Sequence, residues 1–182
     1  MHRQALLKQL AVYQDTCAGN LETTGRFIEF VSRHEQCFER SLAIGHITGS
    51  AWVVSADGTE ILLTHHRKLD RWLQLGGHAD GDPDIAAVAL REAREESGLE
   101  EFEQLGEGIF DLNVHPIPAR ANEPEHLHYD VRYIFRSTGD PRYTVSDESH
   151  DLRWVPVAEV RHLTSDESML RMVRKWQTLH SS

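Results

Sequence analysis

The chain has 182 residues, 40% of them hydrophobic and 26% charged, with 29 acidic against 19 basic side chains and a formal charge of -10. This length supports one domain, or one domain plus an extension, with a sizeable core. The acidic balance argues against a nucleic-acid duplex as partner, because duplex binding needs a basic surface. No apolar run reaches membrane-spanning length and MHRQALLKQLAVYQD has no signal-peptide core, so no membrane partner and a cytoplasmic location are expected. The two cysteines, Cys17 and Cys37, have neither disulfide-framework nor zinc-knuckle spacing.

Residues 1 to about 43 read as two helices: Leu6, Leu7, Leu10 and Tyr13 recur at helical spacing, Gly19-Asn20 breaks the pattern, and Phe27, Ile28, Val31 and Phe38 resume it. We expect a packing or dimerisation extension there, with a homodimer as the corresponding assembly. From Ile44 the period changes to that of strands, with an Asp57-Gly58 turn between two of them. Arg71 to Leu75 is a short extended run, Gly76-Gly77 a turn, and a helix follows. Two more strands, GEGIFDLNVHPI and HLHYDVRYIFRS, flank a polar loop. DLRWVPVAEV is a closing strand running into a helical turn, and Asp166 to about His180 is a helix with Met169, Val173 and Trp176 inward.

The central stretch is GGHADGDPDIAAVALREAREESGL, from Gly76 to Leu99. Asp82 suits the N-cap, Pro83 the first helical position, and Gly98 a left-handed C-terminal cap. Advancing about 100° per residue puts Glu92, Glu95 and Glu96 on the face that also carries Ile85, Val88 and Ala89. Three carboxylates crowd the C-terminal end of a helix, where the macrodipole disfavours negative charge. A divalent cation would make that arrangement favourable, since Mg²⁺ and Mn²⁺ take carboxylate oxygens. The alternative is a solvated acidic face diluted by Arg91–Glu95 and Glu92–Arg94 contacts.

The run from Gly77 through Arg91-Glu92-Ala93-Arg94-Glu95-Glu96-Ser97-Gly98-Leu99 resembles the Nudix box. It departs at Pro83, where the family has a glutamate. The resemblance implies an α/β fold, a Nudix-type α/β/α sandwich with a mixed sheet, preceded here by an N-terminal helical extension. Boundaries of 1–43 for the extension, 44–162 for the domain and 163–182 for a C-terminal helix packing on it follow. It also implies metal-dependent hydrolysis of a diphosphate linkage in a nucleoside diphosphate derivative, a small phosphate-containing substrate. Residue by residue, Glu95 and Glu96 would be ligands of Mg²⁺ or Mn²⁺, Glu92 a ligand or general base, the carbonyl of Gly76 a further ligand, and Arg91 a brace for the glutamates. A second base is often supplied late in these folds, and Glu148 is the candidate.

Twelve histidines are unusual for this length. His126 and His128 lie two apart on an expected strand and share a face; His78 follows Gly76-Gly77 and His46 opens the first strand. Each alone is more often an ordinary histidine than a ligand, but four at one sheet end would form a candidate second metal site. Their segments are similar in order and spacing to the metal-site segments of isopentenyl-diphosphate isomerase. That enzyme has a cysteine where this chain has Gly76 and a glutamate where it has His128, so its proton-transfer pair is missing here. The ligand type suits Zn²⁺, Mn²⁺ or Fe²⁺.

Arg67, after a strand, is a candidate phosphate contact, and Trp72 either stacks on a base or covers the sheet edge. Two alternatives to a hydrolase stand beside the main expectation: an isoprenoid diphosphate isomerase-like enzyme, and a non-catalytic nucleotide-sensing module.

Overall fold

Helical spacing near the N-terminus gives way to strand alternation at residue 45, as the sequence reading expects. The structure, a computed structural model, describes residues 2–16, 20–119, 124–147 and 149–180. In chain order it contains α1 (Gln4–Thr16), α2 (Leu21–Arg33), β1 (Gly45–Val54), β2 (Glu60–His66), β3 (Arg71–Leu73), β4 (Leu75–His78) and α3 (Ile85–Ser97). There follow β5 (Phe102–Leu105), β6 (Asp111–Ile117), β7 (His126–Ser137), β8 (Ser149–Pro156), a 3₁₀ turn (Val157–Glu159), α4 (Val160–Leu163) and α5 (Glu167–His180). The strands form a sheet in the order β3-β2-β1-β7-β5, with β4 on β1, β6 on β7 and β8 on β2. This is the mixed sheet with flanking helices of the expected α/β class. Among the described residues, no helix is long and apolar enough to cross a membrane.

Contacts group the chain into two units, with β1, α3 and β7 each contributing to both. The first comprises Met1–Ser50, Gly76–Ala89 and Gly106–Tyr133. Alternation along β7 decides its packing. Tyr129 meets helix α2, its ring stacked on Phe30 at 3.9 Å between centroids and edge-on to Phe27 at 5.3 Å. Val131 and Tyr133 are also buried, and the Tyr133 hydroxyl donates to Gln9 of α1 at 2.7 Å. The N-terminal helices are thus fixed by aromatic packing to this unit's strands.

The opposite residues of β7 are polar and buried. Arg132 donates to Asp130 at 2.7 Å and, across the β6–β7 pair, to Asp111 at 3.4 Å. Asp130 also accepts the hydroxyls of Ser50 at 2.7 Å and Thr48 at 3.1 Å. One guanidinium is therefore held between two carboxylates, and two β1 hydroxyls satisfy remaining lone pairs. Two glycines let other elements approach β1 closely. A Cβ on Gly49 would lie 2.9 Å from the Ile85 carbonyl, and one on Gly76 only 2.3 Å from Ser50 Oγ.

The second unit, Ala51–Leu75, Leu90–Leu105 and Ile134–Ser182, is built around β2. β2 pairs antiparallel with β3 (Thr64↔Leu73) and with β8, from Glu60↔Pro156 to His66↔Ser149. β5 pairs with the end of β7, Phe102↔Ser137 to Leu105↔Ile134. Helix α5 buries Met169, Met172 and Trp176, and the Trp176 indole N–H donates to the Gly58 carbonyl at 3.0 Å. In the turn below it, Asp57 accepts the Ser55 and Thr59 hydroxyls and the Thr59 N–H, which holds its carboxyl down at about 2.

Three expectations change. The second helix ends at Arg33, and Phe38 is buried from a turn that follows it. Gly76-Gly77 belongs to strand β4 rather than a turn, because only a residue without a side chain fits against Ser50. β5, with two exposed polar residues among four, carries no strand signal in the sequence.

Replacing Arg132 by Ala leaves two buried carboxylates without their counter-ion and should cost about 3–5 kcal/mol in urea unfolding. Arg33→Ala, which removes only an exposed i,i+4 pair with Glu29, should cost less than about 1 kcal/mol. Equal losses in the two variants would contradict this account of the β6–β7 core.

Candidate active site and a histidine cluster

Helix α3 starts two residues later than Asp82 would set it. Asp84 is the working cap, its carboxylate accepting the Ala87 N–H at 3.1 Å, while Asp82 accepts the Asp84 N–H at 2.9 Å and shapes the preceding turn. The C-terminus is as expected: Gly98 has φ +70°, and its N–H returns to the Arg94 carbonyl at 2.8 Å.

Val88, Ala89 and Ala93 are fully buried. Glu92 borders that stripe with its side chain 17% exposed and receives Arg91 Nη2 at 3.0 Å. Glu96, one turn on, is half-buried. Glu95 is 64% exposed, 3.9 Å from Arg91 Nε. At about 100° per residue it falls roughly 60° from Glu92 on the side away from Ala93, so the expected common face holds for Glu92 and Glu96 and only marginally for Glu95. Arg91 thus lies against both Glu92 and Glu95.

Other candidates have specific surroundings. Gly76 lies in β4 against Ser50, as described above. Arg67 donates to the Ser149 carbonyl at 3.1 Å. Trp72 stacks on His65 at 5.1 Å between ring centroids and 13° between planes, with the Arg153 guanidinium 5.0 Å from its centroid. Glu148 lies outside the described residues.

The four singled-out histidines come together, and a fifth joins them. His46 on β1 has the rings of His78, His126 and His128 at 5.1, 4.9 and 4.8 Å. His78 and His128 are 5.0 Å apart, and His126 Nε2 is 3.2 Å from His128 Nε2. His115, not anticipated from sequence, lies 5.4 Å from His128 because the register places it directly opposite on β6. Among the described residues, the group of three His, Cys, Asp or Glu side chains whose ligand atoms all lie within 4.8 Å of one another is His46, His78 and His128. The α3 glutamates are not gathered to that spacing.

Burial, and after it the Arg40 charge and the His46 ring, pushes His78 down to about 4; Asp80 opposes this weakly. Burial first, then His78, His46, His115 and His126, pushes His128 down to about 2. Both rings are neutral at pH 7, the form in which imidazole binds metals. Unfolded histidines protonate near pH 6.5, and these two in the folded chain do not, so the unfolded state binds more protons as pH falls. In chelator, stability should be full above about pH 6.5 and decline progressively below it towards about pH 4. Urea midpoints at pH 7.5 and pH 5 check this. The drop should shrink in a His78→Gln/His128→Gln variant, and an undiminished drop would assign it to other groups.

The NUDIX domain model matches residues 46–176. Among solved structures, a C. elegans Ap4A hydrolase binary complex is similar at TM-score 0.60 and 15% identity, covering 74% of this chain and 97% of that one. A NUDIX-family hydrolase from Clostridium perfringens matches at TM-score 0.55 and 23% identity, over 74% and 97%. MutT protein from Methanosarcina mazei Go1 matches at TM-score 0.56 and 15% identity, over 78% and 99%. No curated protein sequence matches the chain. With the Arg-Glu and Glu-Glu pairs of the box on α3 and the matched region spanning most of its length, the chain belongs to the Nudix family of hydrolases acting on phosphoric anhydrides.

Proposed function

We propose that this chain hydrolyses a diphosphate linkage in a nucleoside diphosphate derivative, using Mg²⁺ or Mn²⁺ held by Glu92, Glu95 and Glu96. The observation that carries the reading is the end of α3, where Glu92 and Glu96 border the buried stripe one turn apart and Arg91 lies at 3.0 Å from one carboxylate and 3.9 Å from another. The donor set fits the ion: these are hard oxygen donors, placed at the helix end where the dipole disfavours negative charge.

When bound there, the ion supplies Lewis acidity towards phosphate oxygens and acidifies water. The chain's own residues do the rest. Arg91 restricts the rotamers of Glu92 and offsets its charge, so the carboxylate is held in place before substrate arrives. Glu148 takes the proton of the attacking water, or Glu92 does so where Glu95 and Glu96 suffice to hold the ion.

The substrate belongs to the nucleotide-linked diphosphates or nucleoside polyphosphates; an Ap4A hydrolase and a dihydroneopterin triphosphate pyrophosphohydrolase share the fold. A panel of dinucleoside polyphosphates, ADP-ribose, nucleotide sugars and oxidised dNTPs, each with Mg²⁺ and with Mn²⁺, tests this by phosphate or nucleotide release. Activity should vanish in EDTA. Glu96→Gln should lower kcat at least about 100-fold with circular dichroism unchanged, and Arg91→Ala about 10-fold. Full activity of Glu96→Gln at saturating Mg²⁺ would overturn the assignment.

A further inference from the structure

We propose that His46, His78, His126 and His128 bind one transition-metal ion of zinc type, at a site chemically distinct from the α3 carboxylates. All four belong to the first unit and come from three strands, β1, β4 and β7. His46 and His126 are buried, at 1% and 6% exposure, whereas His78 and His128 are half-buried, so an ion can reach the group from solvent.

Spacing is the first argument. Four nitrogens about 2.0–2.1 Å from a tetrahedral zinc lie about 3.3 Å from one another. His126 Nε2 and His128 Nε2 already stand 3.2 Å apart. The ligand atoms of His46, His78 and His128 lie within 4.8 Å of one another, so side-chain rotations of roughly 1.5 Å close the set.

Proton placement is the second. His126 Nδ1 is 2.9 Å from the Pro124 carbonyl, which can only accept, so Nδ1 carries the hydrogen and Nε2 presents its lone pair towards His128. A ring N–H tied to a backbone carbonyl behind the ligating nitrogen is the usual support of a metal-bound histidine. His115 has the opposite arrangement: the Asn113 side-chain amide donates to its Nδ1 at 3.3 Å, so its hydrogen sits on Nε2. His115 is therefore an outer neighbour of the group rather than a ligand.

Donor type is the third. Four imidazoles with no carboxylate among them suit Zn²⁺, Co²⁺, Ni²⁺ or Cu²⁺ and are poor for Mg²⁺, which demands oxygen and retains its waters. The α3 glutamates have the reverse preference. The two sites therefore sort two classes of ion on one chain.

The test uses the full chain without a histidine tag, stripped with chelator and reloaded with Zn²⁺, then desalted and analysed for metal. One equivalent should remain and should raise Tm, because the ion binds the folded form alone. It should be lost in His78→Gln and in His128→Gln and retained in His162→Gln, where an exposed histidine is removed. Wild-type protein loaded with Co²⁺ should show the intense visible bands of a four-coordinate ion, a readout independent of how the variants fold. Repeating the loading in Glu96→Gln separates this site from the catalytic proposal, since zinc should still bind there whether or not activity survives. Less than stoichiometric zinc in the wild type, retention in both histidine variants, or weak six-coordinate cobalt bands would each overturn the site.

Discussion

Strand alternation in β7 is the constraint on which the first unit depends. One set of residues, Tyr129, Val131 and Tyr133, is apolar and meets the N-terminal helices through Phe27, Phe30 and Gln9. The other set is polar, with His126, Asp130 and Arg132 buried and His128 half-buried. A polar sheet face can be buried only when its hydrogen-bonding groups find partners. Here the partners are Asp111, Thr48 and Ser50 in the middle of the strand and other imidazoles at its beginning. Charge compensates charge where Arg132 lies, and ring neighbours ring at the start of the strand.

Helix α3 solves a different problem. Its first half is anchored by Ile85 and Val88, which approach β1 at Gly49. Its second half carries carboxylates that sit at the end of the helix dipole that disfavours them. Arg91 offsets part of that cost for Glu92 and Glu95.

Local chemistry made much of this legible in the sequence. Gly98 adopts the left-handed cap that its position requires, Asp57-Gly58 turns, and Met169, Val173 and Trp176 face inward on α5. What depended on two local turns competing, or on long-range pairing, did not show. Asp84 rather than Asp82 caps α3, because an Asx turn at Asp82 delays the first helical residue. His115 escaped notice because its neighbour is set by β6–β7 register, and no local pattern encodes which residues of two strands lie opposite one another. His46, His78, His126 and His128 were suggestive through order and spacing, and the strands that carry them bring the four rings together. The Gly76-Gly77 pair reads as a turn on composition alone, whereas the nearness of Ser50 makes it a strand.

That close approach acts as a mechanical stop. With Gly76 seated against Ser50, β4 cannot slide two positions along β1 in either direction without driving Gln74 or His78 into space that has no room even for a methyl group. One missing side chain therefore works as a gauge block. It fixes how far His78 reaches along the sheet.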